Sequence, residues 1–232
     1  MRELSIKDNL TTVRQQLSHI ATMSGRSPEE IKLIAVSKKK PVSMINEAIL
    51  ANHTAFGENM IQEAIKKMSA FNNFDNIEWH MIGHLQKNKV KFCPGNFHWI
   101  HSIDSTELAK KLEERCAIKQ QNINVLIQVN LSQEKSKFGV QKLSELYQLA
   151  EKLHAGHWIK LRGLMTIPEP NLGEASTRKI FQKVRIWKEQ LRDELGAPEI
   201  NELSMGMTAD FKWAIQEGAT MIRLGSAIFG PR

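Results

Sequence analysis

The feature that most restricts how this chain can fold is an alternation: eight short β-type runs, each followed by a helical or loop-bearing segment. The runs are "KLIAVS" (32–37), "TAF" (54–56), "IEWHMI" (77–82), "HWIHSI" (98–103), "NVLIQVNL" (124–131), "IKLRGLMTI" (159–167), "NELSM" (201–205) and "TMIRLG" (220–225). Between them, Leu108 and Leu112, then Leu143, Leu146, Ala150 and Leu153, then Ile180, Val184, Trp187, Leu191 and Leu195 recur at the spacing of one helix face. Ile6, Leu10, Val13, Leu17 and Ile20 repeat that spacing ahead of the first run, and the turn "GRSPEE" follows.

Eight strand–helix units within 232 residues predict an α/β protein, a (β/α)8 TIM-type barrel with an extra N-terminal helix. A single domain is expected over residues 1–232, with residues 1–30 forming a helix and turn packed on the barrel. A doubly wound open sheet is the alternative. Against it, no G-x-G-x-x-G follows the first run, where a dinucleotide fold carries its phosphate loop.

A barrel of this kind places its chemistry where strands end and the following loops begin. Those stretches are "SKKKP", "GENMIQE", "IGHLQKNK", "SIDS", "NLSQEKSKFG", "TIPEP", "GMTADF" and "GSAIFGPR", which hold nearly all the polar and glycine-bearing segments. The loops after the seventh and eighth strands are the usual phosphate site of such barrels. Here they supply Ser204, Gly206 and Thr208, then Gly225 and Ser226. Small residues let backbone approach phosphate oxygens, and hydroxyls donate to them; as turn formers alone, the same glycines would need no ligand.

The lysine run "KKK" would ordinarily be a solvated charge cluster. Lys38, however, directly follows the first strand, at the barrel mouth and facing the phosphate edge. An amine there suits imine formation with an aldehyde, and pyridoxal phosphate carries both an aldehyde and a phosphate. Lys39 and Lys40 are expected to run out into solvent.

Beyond these readings, "AVSKKKP", "FGEN", "WHMIGHLQKNK", "SIDS", "VNLSQEKSKFG", "RGLMTIP", "SMGMTADF" and "IRLGSAIFG" closely resemble the pyridoxal phosphate homeostasis proteins of the YggS/PROSC type. These are single-domain relatives of the N-terminal barrel of alanine racemase. The resemblance runs from the first strand to the end of the chain. It implies pyridoxal 5'-phosphate as cofactor and Lys38 as the Schiff-base lysine, with Asn59 beside the cofactor ring. It implies further that Ser204, Gly206, Thr208, Gly225 and Ser226 hold the phosphate, and that Arg223 faces the pyridine nitrogen. A cation at that nitrogen keeps it unprotonated and makes the ring a poor electron sink. Two departures stand out: Lys39 occupies a position where many relatives have threonine, and Thr208 one where serine is usual.

The role implied is holding the cofactor as an internal aldimine and balancing the intracellular level of this form of vitamin B6, without efficient catalysis and with apo-enzymes that use the cofactor as candidate partners. The alternative is an amino-acid racemase or related weak enzyme. A two-base racemase needs a tyrosine delivered by a second domain. The sequence ends at Arg232 directly after the eighth run, so no such domain is expected, and its single tyrosine, Tyr147, lies in a helical pattern as a packing residue. Racemase chemistry would therefore need another acid or base such as His84 or Lys137.

The remaining classes are weaker. His80 and His84, and His98 and His101, are closely spaced, but they fall across strand ends and loops without a carboxylate pair, so no metal site is expected. His80 is expected to be hydrogen-bonded near the barrel mouth. Cys93 and Cys116 lack a C-x-x-C spacing. The net charge of +7 is spread over amphipathic helices without an RNP, zinc-finger or KH signature, so no specific nucleic-acid partner is expected. No apolar stretch reaches bilayer length and the first residues lack a signal-peptide core, so a cytoplasmic location without a membrane partner is expected, as a monomer or weak dimer.

Overall fold

The computed structural model describes residues 5–71, 76–131 and 138–231. Its eight strands are β1 (Lys32–Val36), β2 (Ala55–Glu58), β3 (Glu78–Met81), β4 (Trp99–Ile103), β5 (Ile123–Val129), β6 (Ile159–Thr166), β7 (Glu202–Ser204) and β8 (Met221–Leu224). Each runs parallel to its neighbours, and β8 pairs with β1 through Lys32↔Met221 to Ala35↔Leu224, closing the barrel. Closure excludes the open-sheet alternative. All eight expected runs coincide with strands, with β2 displaced: it continues to Glu58 because Gly57 and Glu58 pair with His80 and Met81 of β3.

The helices are α1 (Ile6–Met23), α2 (Val42–Leu50), α3 (Ile61–Met68), α4 (Thr106–Lys119), α5 (Leu143–His154), α6 (Glu174–Leu195), α7 (Phe211–Gln216) and α8 (Ser226–Phe229). Between β3 and β4 the connection is a 3-10 helix, Lys87–Phe92, in place of an α-helix.

The extra helix α1 starts at Ser5, whose hydroxyl accepts from the Asp8 N–H while the Asp8 carboxylate accepts from the Ser5 N–H. Its buried stripe is Ile6, Leu10, Val13, Leu17 and Ala21, packed against α2, α7 and α8 across the seam where the barrel closes. Each of the large apolar side chains in that stripe contributes roughly 1.5–3 kcal/mol relative to exposure. Ile20 lies at the edge of the stripe, and Ala21 takes the fifth fully buried place.

Along a strand, alternate residues face the barrel interior. Ile34, Trp99, Leu126, Met165 and Met221, one from each of five strands, form the interior cluster, separate from the larger core between strands and helices. Two residues further along their strands, His101 and Arg223 share that interior face with Trp99 and Met221. The barrel centre is therefore partly polar.

Candidate functional site

Lys38 is held by the backbone on both sides of it. The Ser37 N–H donates to Gly57 O of β2, and Ser37 O accepts from the Lys40 N–H at 3.0 Å, closing a tight turn over 37–40. Lys39 takes φ 60°, a left-handed conformation that costs a residue with a β-carbon about 1–2 kcal/mol.

Three charged side chains offset that strain. Lys67 Nζ, almost wholly buried on α3, donates to Ser37 O (2.7 Å), Glu58 Oε1 (2.8 Å) and Glu63 Oε1 (2.6 Å). Glu63 Oε1 also accepts from the Lys39 N–H at 2.5 Å, and Ser37 Oγ donates to Glu58 Oε1 at 2.6 Å. Burial raises the Glu58 carboxyl above its ordinary range, with Lys67 and Ser37 opposing the rise. Burial also works against charge on Glu63, but Lys67 and the Lys39 N–H hold its carboxyl below the ordinary range.

Asn59 stands next to Lys38. Gly83, after β3, lies so close to it that a β-carbon built there would sit 2.3 Å from Asn59 O, so only glycine fits. Ser102 Oγ of β4 fixes Gly83 from the other side, donating to its carbonyl at 2.6 Å. Asn59 Oδ1 is buried and has no hydrogen-bond partner among the described residues. Leaving such an acceptor unmet costs about 1–3 kcal/mol, which a bound donor would recover.

Lys38 and Asn59 line a cavity of about 450 Å³, a size suited to a small cofactor. Arg223, Thr208, Gly225 and Ser226 share its wall, together with Ile82, Ile167 and Met207. Thr208 Oγ1 and Ser226 Oγ face each other at 3.3 Å across the loops after β7 and β8. The Arg223 guanidinium is nearly fully buried; Nη2 donates to Thr166 O at 3.0 Å and Nη1 to Ser204 Oγ at 2.5 Å. Burial lowers its pKa to about 10, opposed by the Asp210 carboxylate, and leaves it cationic at neutral pH. A lysine, a donor-only guanidinium and two hydroxyls converge on one cavity that Asn59 also lines. The set fits an anionic ligand with a ring acceptor.

The family model for the N-terminal domain of alanine racemase matches residues 9–232. The pyridoxal phosphate homeostasis protein of Vibrio alginolyticus is 43% identical over 231 residues, with 98% of each chain covered. That of Escherichia coli strain K12 is 42% identical over 229 residues, 98% of this chain and 97% of that one. The chain belongs to the pyridoxal phosphate homeostasis protein family.

Among solved structures, PipY of Synechococcus elongatus PCC7942 without PLP superposes with a TM-score of 0.90 at 34% identity, over 97% of this chain and 100% of that one. The same protein with PLP bound gives 0.88. Alanine racemase of Bacillus anthracis shares the barrel at 15% identity and a TM-score of 0.71, with 56% of its own length covered.

Within this member of the family, six of the eight residues singled out from sequence meet at the cavity and two do not. Ser204 is fully buried beneath Arg223, its Oγ shared between Arg223 Nη1 and His101 Nδ1 (2.8 Å), so its hydroxyl is committed away from the phosphate loops. Gly206 takes φ +96°, and a β-carbon there would fall 2.6 Å from Ala214 Cβ; it lets α7 pack under the loop. Its carbonyl accepts from the Arg223 N–H.

Two further expectations are corrected. Lys40 is not solvated: its Nζ donates to the carbonyls of Phe229 (3.0 Å), Gly230 (3.2 Å) and Pro231 (3.0 Å), because the 37–40 turn aims it at the C-terminal segment. His80 is not at the mouth but wholly inside the barrel, since it shares a strand face with Glu78. Lys39 is exposed, and Tyr147 packs partly buried against the outer core. His84 lines an adjoining cavity of about 480 Å³ whose wall also includes Lys38 and Asn59, and it stacks on Phe138. Lys137 lies outside the described residues.

Sequence reasoning missed Lys67, Glu63 and Glu58. A signal was available for Lys67, which falls on the apolar stripe of Ile61, Ala64 and Met68 where a lysine needs a buried partner.

Proposed function

We propose that this chain binds pyridoxal 5'-phosphate in the cavity between Lys38 and Arg223, and serves intracellular balance of that cofactor instead of efficient amino-acid turnover. The observation that carries the reading is the convergence of Lys38, Asn59, Thr208, Arg223, Gly225 and Ser226 on one cavity of about 450 Å³. The cofactor supplies an aldehyde able to condense with an amine, and a phosphate. Lys38 offers the amine, on a backbone clamped at Ser37 and Lys39. The Thr208 and Ser226 hydroxyls offer phosphate donors beside Gly225. Asn59 Oδ1 offers an acceptor for a ring hydroxyl.

Arg223 carries the functional bias. A guanidinium only donates, so a pyridine nitrogen placed against it must accept and stay unprotonated. An unprotonated ring withdraws electrons weakly, which favours retention of the cofactor over carbanion chemistry. Tyr147 packs on the outer core, away from the cavity wall, and supplies no second base. Support also comes from relatives over 40% identical that bear the homeostasis name, and from PipY with PLP bound.

The test is chemical. Protein incubated with the cofactor should absorb in the visible, and borohydride reduction should leave the pyridoxyl mass on the peptide containing Lys38. Lys38→Ala should abolish both signals. A label on Lys39 or Lys40 would overturn the assignment, and rapid conversion of L-alanine to D-alanine by the loaded protein would overturn the carrier reading.

A further inference from the structure

A line of polar side chains crosses the barrel interior beneath Arg223. Ser204 Oγ accepts from Arg223 Nη1 and lies 2.8 Å from His101 Nδ1; His101 Nε2 lies 2.9 Å from His80 Nδ1; and His80 Nε2 faces Glu78 Oε2 at 3.7 Å. Glu78 closes the line at the other end of the barrel, its two oxygens held by Lys32 Nζ at 2.8 and 2.7 Å and by Trp99 Nε1 at 2.5 Å. Trp99 stacks on His80 with planes 8° apart and fixes the ring.

The Arg223 end dictates the direction of the bonds that follow, and the carboxylate facing His80 agrees with it. Arg223 can only donate, so Ser204 Oγ accepts from it and sends its own hydrogen elsewhere. Its other partner is His101 Nδ1, which must therefore be unprotonated. His101 then carries its hydrogen on Nε2 and donates to His80 Nδ1. His80 in turn carries its hydrogen on Nε2, which is buried without a hydrogen-bond partner among the described residues and lies 3.7 Å from the Glu78 carboxylate, near enough for attraction but not for a hydrogen bond. The reverse order would leave the Ser204 hydrogen without an acceptor among the described residues of a buried interior and set a bare His80 nitrogen against the Glu78 oxygen. Burial depresses both imidazoles below the ordinary histidine range, so the neutral forms this order requires are the stable ones.

We propose that Ser204, His101 and His80, with the Glu78 carboxylate facing the far end, form a one-way hydrogen-bond relay that fixes the orientation of the Arg223 guanidinium, which makes them positioning residues for the ring nitrogen of the bound ligand. The ligand part rests on the function proposed above; the relay part does not. Among the described residues, Arg223 has no hydrogen-bonded carboxylate of its own. The relay supplies the oriented acceptor such a partner would and ends at the Glu78–Lys32 ion pair, so it does not neutralise the cation beside the cavity.

The test begins on the full chain without cofactor, labelled with nitrogen-15 in histidine and arginine. Long-range proton–nitrogen spectra should show His80 and His101 as neutral Nε2–H tautomers, unchanged over about pH 5.5 to 7.5 where exposed histidines titrate. Loss of signals in His80→Gln and His101→Gln assigns the two rings. Either ring found as the Nδ1–H tautomer or as a cation overturns the relay.

The Arg223 guanidinium should give resolved, slowly exchanging protons that average and exchange at least about tenfold faster in Ser204→Ala, a change a merely structural serine would not cause. Unchanged Arg223 exchange in folded Ser204→Ala overturns the positioning role. In the loaded protein, Ser204→Ala should also move the ring-nitrogen shift of nitrogen-15 pyridoxal phosphate. Failure of the unmodified chain to take up the cofactor would sink the functional reading alone, since the tautomers and the Arg223 exchange are read without it.

Discussion

Lys67 Nζ lies 2.7 Å from the carbonyl oxygen of Ser37, the residue immediately before Lys38. The same ammonium binds Glu58 and Glu63, so one buried cation ties α3 to the backbone on both sides of the candidate cofactor lysine. Lys67→Met keeps the length and removes the charge, leaving Glu58 and Glu63 without it. Breaking a buried pair from one side costs about 3–5 kcal/mol, so urea unfolding should show a loss of that order. Adding Glu58→Gln to Lys67→Met should recover at least half. A loss below about 1 kcal/mol in the single variant would show that the cluster is not coupled to folding.

Gly83 determines where Asn59 stands. A β-carbon at residue 83 would lie 2.3 Å from Asn59 O and 2.8 Å from Asn59 Cα, and backbone cannot give way as a flexible side chain would. Gly83→Ala should therefore cost about 2–3 kcal/mol of stability and push Asn59 from the cavity wall. The measurement pairs a denaturation curve with cofactor titration. A folded variant with unaltered affinity would remove Asn59 from the site.

The sheet was legible in the sequence because parallel strands covered on both faces read as short apolar runs, and "KLIAVS" and "NVLIQVNL" carry that signature without ambiguity. Lys38, Thr208, Gly225 and Ser226 were marked for a topological reason, since every loop after a strand reaches the same rim, whereas Asn59 and Arg223, the latter inside β8, came only from the family resemblance. What could not be read is anything set by register between strands. That Ser204 faces inward follows from its pairing with Met221, and that His101 meets both Ser204 and His80 follows from barrel closure. Nor do three identical letters reveal that, on either side of a left-handed Lys39, Lys38 and Lys40 both border the cavity while Lys40 Nζ reaches the carbonyls of Phe229, Gly230 and Pro231.

Lys40 gives a test of that division of labour. Its ammonium gathers the carbonyls of Phe229, Gly230 and Pro231, and so pins the segment that begins with Gly225 and Ser226. Lys40→Ala should leave the global fold near its original stability while weakening cofactor binding about tenfold, the equivalent of about 1.4 kcal/mol. Lys40→Arg, which can still reach several carbonyls, should recover most of the loss. Equal affinity for Lys40→Ala and the unmodified chain would mean that the clip does not support the phosphate loops.

His53 sets one part of the stability–pH profile. It is buried against Phe56, its Nε2 lies 2.9 Å from Ala55 O, and burial lowers its pKa to about 4. The folded state thus binds a proton less readily than the unfolded chain, whose histidine titrates near 6.5. The sign follows: stability from this group is fully present above about pH 6.5 and is lost as pH falls toward 4, at up to about 1.4 kcal/mol per pH unit. His53→Gln keeps a donor for Ala55 O but cannot take up a proton. Urea unfolding between pH 7 and 4.5 should show a slope shallower by up to one proton in this variant, whereas parallel profiles would mean that His53 is protonated as readily folded as unfolded.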